Sequence, residues 1–118
     1  MKQISGGVCA ATGFSASGVH CGIRKNHSKK DLSLIFSTVP ASAAAVYTTN
    51  LVKGAPLTVT KKHIANGTAQ AVICNSGNAN TCNANGIEIA EEMSALAASA
   101  LGIAAEDVVV ASTGVIGQ

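Results

Sequence analysis

The sequence has no tryptophan and few other aromatic residues, which make up only 3% of its 118 residues. Its apolar side chains are therefore mainly Ala, Val, Ile and Leu, a mixture that suits closely packed sheets and helices better than an aromatic binding groove. Charged residues are also scarce, at 12%, and the mean hydropathy of +0.35 is high for a monomer of this length. We interpret this composition as that of a subunit or fragment whose apolar faces are covered by other polypeptide.

The net charge of +2 is too small to indicate nucleic acid or a membrane surface as a partner. Basic residues cluster only in RKNHSKKD, residues 24–31, and most charge runs of this kind are solvated loops. No apolar run approaches the roughly 20 residues that span a bilayer, and the amino terminus lacks the apolar core of a signal peptide. The sequence therefore predicts a cytoplasmic protein with neither nucleic acid nor a membrane as its partner.

The four cysteines follow no disulfide or zinc pattern, because none of them forms a C-x-x-C pair. The three histidines are not spaced for a shared metal site either. We expect reduced, mostly buried thiols that pack as small apolar side chains. A glycine-rich phosphate loop is also missing, since GIRKNHSKK lacks the required arrangement. Neither a metal site nor a bound cofactor is predicted.

The order of the predicted elements indicates an α+β protein, a layered α/β sandwich of mixed sheets, in a single domain over residues 1–118. Alternating apolar residues predict strands that include a bend at Gly18 and a connection at Pro40. The predicted strands cover residues 6–23, 31–38, 41–50, 69–75 and 108–110, with a short extended piece at 56–60 and a brief helix at 61–67.

A long helix is predicted from residue 85 to Gly102. Asn85 is a good N-cap residue, and Glu88 three positions later completes a capping pattern. Apolar residues recur every three or four positions and so predict one buried stripe. The stripe consists of Ile87, Ala90, Met93, Leu96, Ala97, Ala100 and Leu101. The strand that follows, Val108 to Val110, has no polar alternation, which is typical of a strand covered on both faces.

Two polar segments follow predicted strands on either side of this helix. NSGNAN, residues 75–80, follows one strand, and STG, residues 112–114, follows the other. A β-helix-β crossover makes the two strands parallel neighbours, so both segments emerge at the same sheet edge. In open α/β sheets, ligands bind at that carboxyl edge.

The STG segment offers two hydrogen-bond donors to a reacting oxygen. Acyl transfer places negative charge on a former carbonyl oxygen, which needs fixed donors about 2.7–3.1 Å away. Gly114 can aim its backbone N–H at that oxygen, and the hydroxyl of Thr113 supplies a second donor. Spacing alone favours an ordinary strand-ending turn, and the Asn side chains of residues 75–80 then only bond their own backbone. No local motif pairs a nucleophile with a base.

Four segments together resemble the amino-terminal part of the ornithine acetyltransferase family, the bifunctional glutamate N-acetyltransferases of arginine biosynthesis. The segments are GFSASGVHCGIRK at 13–25, VYTTNLVKGAP at 46–56, NSGNAN at 75–80 and ASTGVIG at 111–117. The resemblance runs in consistent order from about Gly6 to the last residue, and four motifs in register are far more specific than any one of them.

The resemblance implies a precursor that cleaves itself before a threonine and so yields an α chain and a β chain in a fold like that of N-terminal-nucleophile enzymes. The freed threonine takes the acetyl group from acetylornithine and passes it to glutamate. By motif match, the oxyanion hole falls on Thr113 and Gly114. The implied partners are the β chain, in a hetero-oligomer of α and β chains, and the two substrates. Whether acetyl-CoA also serves as a donor cannot be read from these residues.

The sequence departs from the family in one respect, because it stops at Gln118, before the glycine-rich segment that precedes the cleavage site. The nucleophile and the later substrate-binding residues are therefore expected on other polypeptide, and Thr48, Thr49 and Thr113 are not candidates for the nucleophile. We expect this chain alone to be inactive. Two alternatives stay open: an N-terminal-nucleophile amidase or aminopeptidase of the same fold, and a non-catalytic scaffold fragment.

Overall fold

A computed structural model describes all residues from 1 to 118 and contains one sheet and two α-helices, as predicted for an α+β protein. The strands are β1 (Phe14–Val19), β2 (Leu32–Ser42), β3 (Thr68–Asn78) and β4 (Val108–Val115), and the helices are α1 (Ala55–His63) and α2 (Gly86–Leu101). Short 3-10 helices cover Gly7–Ala10, Ile64–Asn66 and Ala105–Asp107. Neither α-helix has the length and apolarity that a membrane span requires.

The four strands form a mixed sheet in the order β1-β2-β3-β4. The first two pairings are antiparallel and β3 pairs with β4 in parallel. Helix α2 connects β3 to β4, so the predicted crossover is confirmed. Strand β4 is an edge strand, so no strand pairs with its outer side.

Both helices pack on the same face of the sheet, where two small apolar clusters form the core. Val108 and Val110 point into these clusters and are 0% and 3% exposed, whereas Val109 between them is only half-buried. Side chains alternate between the two faces of a strand, so β4 is covered by this chain on one face only. The prediction that this strand is covered on both faces is therefore wrong for the chain by itself.

Helix α2 confirms the longest predicted element and ends at Gly102, whose φ of 70° lies in the left-handed region. Its predicted details are partly wrong. Asn85 makes no side-chain capping bond. Ala90 and Ala97 of the predicted stripe are buried, but Leu96 is 65% exposed, while the polar Ser94 is 1% exposed. The hydroxyl of Ser94 donates a hydrogen bond to the carbonyl oxygen of Glu91 at 2.7 Å, so this buried polar group has a partner.

Three other predicted elements are wrong. Residues 56–60, predicted as extended, belong to α1, where Pro56 occupies the first turn and needs no N–H partner. Residues 43–50 form no strand. Strand β2 instead runs through Pro40 at a register shift between Phe36 and Ala41, where the interrupted ladder tolerates a missing donor.

The amino-terminal region and the cysteines also differ from the prediction. Strand β1 begins only at Phe14, and Gly18 pairs regularly with Ser33 rather than forming a bend. All four cysteines are free thiols, as expected. Three of them are exposed and Cys74 is half-buried, so the expectation of mostly buried thiols is wrong.

Candidate functional site

The carboxyl ends of β3 and β4 lie side by side, so the two polar segments predicted to meet are direct neighbours. Each residue of the NSGN part of β3 pairs with one residue of STGV in β4. The pairs are Asn75 with Ser112, Ser76 with Thr113, Gly77 with Gly114 and Asn78 with Val115. The predicted loop and turn are partly wrong, because both segments continue the strands instead of ending them.

Gly77 and Gly114 bring the two backbones into unusually close contact. A Cβ atom added to Gly114 would lie 2.2 Å from the carbonyl carbon of Gly77, far inside van der Waals contact. The φ angle of Gly114 is 130°, a conformation that residues with side chains rarely adopt. Only glycine therefore fits at this position, and the peptide group of Gly114 is held firmly against β3.

Helix α1 covers the amino-terminal half of the outer edge of β4. The hydroxyl of Thr60 accepts a hydrogen bond from the N–H of Val110 at 3.1 Å and donates one to its carbonyl oxygen at 3.0 Å. His63 donates from Nδ1 to the carbonyl oxygen of Val108 at 2.9 Å. The backbone groups of Val110 and the carbonyl oxygen of Val108 thus point away from β3 and are satisfied by side chains, while the N–H of Val108 donates to the carbonyl oxygen of Ala105.

The position of Gly114 in β4 directs its backbone N–H away from β3. The carbonyl oxygen of Val115 accepts from the N–H of Ala79 at 2.8 Å, so Val115 is bonded on the β3 side. Residues of a strand direct their backbone groups alternately to its two sides. The N–H of Gly114, like that of Val110, therefore points to the outer edge of β4.

A cleft of about 460 Å³ lies along this part of the outer edge, and we call it the edge cleft. Thr113 and Gly114 line it and are exposed. The facing wall comes from residues before α1 and from its first turn, and includes Val46, Tyr47, Pro56 and Leu57. Tyr47 also lines the cleft, and its buried hydroxyl has no hydrogen-bond partner. Tyr47 was not among the site residues predicted from the sequence.

The side chain of Thr113 shares its face of the sheet with Val109 and Ala111, opposite the helices. Thr113 and Gly114 both line the edge cleft at the outer rim of β4. The rim therefore carries one side-chain donor and one backbone donor. Hydrogen-bond donors of this kind can stabilise negative charge, but they cannot act as nucleophile or base.

Behind this rim, loop 20–31 is organised around the buried carboxylate of Asp31, which is 2% exposed. Its two oxygens accept from the N–H of Cys21 at 2.7 Å and from the N–H of Arg24 at 2.9 Å. The Nδ1 atom of His20 lies 2.9 Å from the same carboxylate. The bond from the Arg24 N–H, helped by that from Cys21, outweighs burial and holds the pKa of Asp31 well below its usual value.

Arg24 connects this loop to β3. Its Nε donates to the carbonyl oxygen of Ser76 at 3.2 Å, and its guanidinium also donates to the hydroxyl of Ser76. The N–H of Ser76 in turn donates to the carbonyl oxygen of Asp31 at 2.8 Å. Residues 24–31 were expected to be a solvated loop, and this holds for residues 25–30, whereas Arg24 is half-buried and Asp31 is buried. The signal in the sequence was a single carboxylate, Asp31, placed between a basic run and an apolar strand.

Cys21, which lies beside Asp31, is not an activated nucleophile. Partial burial, followed by the neighbouring Asp31 carboxylate, raises the pKa of Cys21, so its thiol stays neutral at pH 7. No three His, Cys, Asp or Glu side chains come together as a metal-binding group.

Comparison with known proteins identifies related sequences along almost the whole chain. The profile of the ArgJ family matches residues 15–118. The arginine biosynthesis bifunctional protein ArgJ of Symbiobacterium thermophilum is 52% identical over 119 residues, which are 99% of this chain and 30% of that protein. The protein of the same name from Shouchella clausii is 48% identical over 120 residues, 99% of this chain and 29% of that protein. The chain thus spans about 30% of the length of these curated relatives.

Two solved structures share the fold. The arginine biosynthesis bifunctional protein ArgJ of Bacillus halodurans superposes with a TM-score of 0.87 at 49% identity, covering 92% of this chain and 57% of that one. Ornithine acetyltransferase of Mycobacterium tuberculosis, solved in complex with ornithine, superposes with a TM-score of 0.81 at 40% identity. It covers 92% of this chain and 60% of that one. At these identities the likeness extends to sequence as well as to fold.

Proposed function

Because this chain belongs to the ArgJ family, we propose that it is the amino-terminal part of an enzyme that transfers an acetyl group from N2-acetylornithine to glutamate. The observation that carries the proposal is the rim of β4, where Thr113 and Gly114, each with a hydrogen-bond donor, line the same cleft. In the proposed enzyme, Thr113 and Gly114 form the oxyanion hole.

The first half-reaction begins with the amino-terminal threonine of the β chain, which attacks the acetyl carbonyl of acetylornithine. The carbonyl oxygen becomes an oxyanion and receives hydrogen bonds from Gly114 and Thr113. The C–N bond then breaks, ornithine leaves with the proton taken from the attacking hydroxyl, and the acetyl group remains on threonine as an ester.

The second half-reaction runs through a similar intermediate in the opposite direction. The amino group of glutamate attacks the acetyl ester, and the same two donors stabilise the new oxyanion. The C–O bond breaks, the threonine hydroxyl regains a proton, and N-acetylglutamate leaves. The acetyl group travels on threonine throughout, so the proposed reaction needs no bound cofactor. Acetyl-CoA is an alternative acetyl donor for the same intermediate.

The local geometry supports this role because the Gly114 peptide is fixed before any substrate binds. It is paired with Gly77 in the sheet, so close that even a Cβ atom on Gly114 would lie 2.2 Å from the Gly77 carbonyl carbon. A donor that is already oriented costs no reorganisation during the reaction, and each such donor is worth roughly 10²–10³ in kcat. The apolar wall of the edge cleft lowers the local dielectric constant and strengthens both hydrogen bonds.

The proposed partner is the β chain of the same precursor, within a hetero-oligomer and a fold of the N-terminal-nucleophile type. The face of the sheet away from the helices supports this assembly, because Ile35, Val72 and Val109 on that face are only half-buried. Three apolar side chains on adjacent strands form a surface that other polypeptide covers at a gain of about 25 cal/mol per Å².

The test uses the complete gene product, containing both chains, with acetylornithine in the presence and absence of glutamate. We expect N-acetylglutamate to form in equal amounts with ornithine, and only in the presence of glutamate. Free acetate released at the same rate without glutamate would refute the transferase and identify an amidase that uses water. No conversion by an intact assembly under either condition would refute both enzymes and leave the scaffold.

A further inference from the structure

We propose that Asp31 is a positioning residue for this site, acting through loop 20–31 and β3 on the peptide group of Gly114. The inference rests on the proposed role of Thr113 and Gly114 as the oxyanion hole. Asp31 does not line the edge cleft, so its effect passes through three successive contacts, each between groups in close packing.

The first contact joins the carboxylate to the loop. Asp31 binds two backbone amides three residues apart, those of Cys21 and Arg24, one on each oxygen. Its own N–H donates to the carbonyl oxygen of Val19 at 2.9 Å, which ties the start of β2 to the end of β1. The carboxylate thus closes loop 20–31 from both ends and fixes the turn that presents Ile23 and Arg24 to β3.

The second contact joins the loop to the end of β3. Arg24 binds both the carbonyl oxygen and the hydroxyl of Ser76, and the planar guanidinium fixes the direction of both bonds. Ile23 lies directly on Gly77, because a Cβ atom added to Gly77 would be 2.5 Å from the Cγ2 atom of Ile23. Ser76 and Gly77, the two residues of β3 before Asn78, are therefore both in contact with loop 20–31.

The third contact is the one between Gly77 and Gly114. No side chain separates the two backbones, and their φ angles are 151° and 130°. Close-packed groups transmit displacement rather than absorb it. A shift of Gly77 when the loop loosens therefore shifts the donor N–H of Gly114, and a misplacement of about 1 Å costs roughly 10²-fold in rate.

The test compares Asp31→Asn and Arg24→Ala in the complete enzyme. Asparagine keeps the size of the side chain but loses the charge and one acceptor, and alanine removes the link to Ser76. We expect kcat for acetyl transfer to fall by roughly 10–100-fold in both variants, with KM changed by less than about threefold, because an oxyanion donor acts on the transition state. A loss confined to KM, or an unchanged kcat in both variants, would overturn the inference.

Asn26→Ala is the matched control. The Asn26 side chain accepts from the N–H and the hydroxyl of Ser28 at 3.0 and 2.7 Å, within the same loop, so its hydrogen bonds do not connect the loop to β3. We expect kcat of this variant to equal that of the wild type at a comparable melting temperature. An equal fall in kcat would show that any change in the loop has this effect, and so would refute a specific role for Asp31.

A double variant distinguishes a failure of the positioning role of Asp31 from a failure of the proposed oxyanion hole. If Asp31 acts on the Gly114 peptide, Asp31→Asn adds little to the loss already caused by Gly114→Ala, which misdirects the same donor. Losses that multiply in full would show that Asp31 acts elsewhere and would overturn the inference. An unchanged kcat in Thr113→Val alone would instead refute the oxyanion hole itself. A large loss in Thr113→Val with none in Asp31→Asn or Arg24→Ala would refute the positioning role only.

Discussion

The two halves of the outer edge of β4 have the same backbone alternation but opposite surroundings. In the amino-terminal half, Thr60 and His63 bind the backbone groups of Val110 and Val108. In the carboxyl-terminal half, the first turn of α1 presents Pro56 and Leu57, whose side chains cannot form hydrogen bonds. The N–H of Gly114 is therefore left facing a cleft.

The difference shows how one strand can serve both stability and chemistry. A buried backbone group without a partner is costly, so the covered half is closed by side chains. An exposed edge normally invites unwanted pairing, which proteins avoid by covering it. Here the uncovered part is limited to the residues beside the cleft, where open donors suit a ligand oxygen. Changes in the open half should thus affect catalysis, and changes in the covered half should affect folding.

The largest expected effect comes from Gly114→Ala in the complete enzyme. The added Cβ meets the Gly77 carbonyl carbon at 2.2 Å, so the peptide has to move and its donor is misdirected. We expect kcat for acetyl transfer to fall by at least roughly 10²–10³-fold. Gly67→Ala is the control, because Gly67 also has a positive φ of 80° but nothing within 4 Å. Wild-type kcat in Gly114→Ala, or an equal loss in the control, would contradict the account.

Thr113→Val tests the side-chain donor without changing the size of the residue. Since Thr113 is exposed, we expect its melting temperature to stay near that of the wild type while kcat falls by up to roughly 10²–10³-fold. Thr113→Ser keeps the hydroxyl and should retain most of the activity. Steady-state kinetics of both variants provide the check, and equal kcat values for Val and Ser at position 113 would rule out a hydroxyl donor.

Thr60→Val tests the covered half. It leaves the N–H and carbonyl of the buried Val110 without partners, which should lower the free energy of unfolding by about 1–3 kcal/mol. We expect the kcat of the folded enzyme to change by less than about threefold, because no donor at the rim is touched. Chemical denaturation measures the loss, with Thr60→Ser as the control. A selective loss of kcat at unchanged stability would contradict the separation of folding and catalysis between the covered and open halves of β4.

The stabilisation by Asp31 should depend on pH with a defined sign. Its pKa in the folded chain lies below the unfolded value of about 3.9, so its contribution is complete above that value and is lost as pH falls through the folded pKa. The difference in melting temperature between wild type and Asp31→Asn should therefore be largest near neutral pH and shrink below about pH 4. Melting curves from acid to neutral pH measure it, and a constant difference would contradict the buried, ionised carboxylate.

The smallest effect is expected for Lys62→Ala, which lies on the solvent side of α1. Lys62 forms a 3.2 Å ion pair with Glu91, and the two side chains are 71% and 48% exposed. Exposed pairs of this kind contribute about 0–1 kcal/mol. Both the free energy of unfolding and kcat should stay close to wild type, and a large change in either would mean that α1 communicates with the rim through its outer surface.

Part of this architecture could be predicted because the signals are local. The period of α2 and the polar segments flanking it led to the parallel pair β3-β4, and four motifs in register indicated the family and with it Thr113 and Gly114. Only the end of α1 was predicted, as part of the brief helix at residues 61–67, because a proline such as Pro56 fits a first helical turn as well as an extended segment.

The remaining features depend on contacts between distant residues. Arg24 and Ser76 are separated by 52 positions, and no periodic pattern links them. The direction of the Gly114 N–H also depends on which side of β4 lacks a strand, which becomes clear only from the sheet order. The partial burial of β4 has a similar origin, because both helices pack on one face of the sheet and Val109 on the other face is only half-buried.

The most direct test is a crystal structure of the complete enzyme with a boronate or phosphonate analogue of the tetrahedral intermediate on its nucleophile. The account predicts that the oxygen standing for the oxyanion lies about 2.7–3.1 Å from both the backbone nitrogen of Gly114 and the Oγ1 atom of Thr113. An analogue oxygen bound by other donors, beyond hydrogen-bonding distance of both atoms, would contradict it.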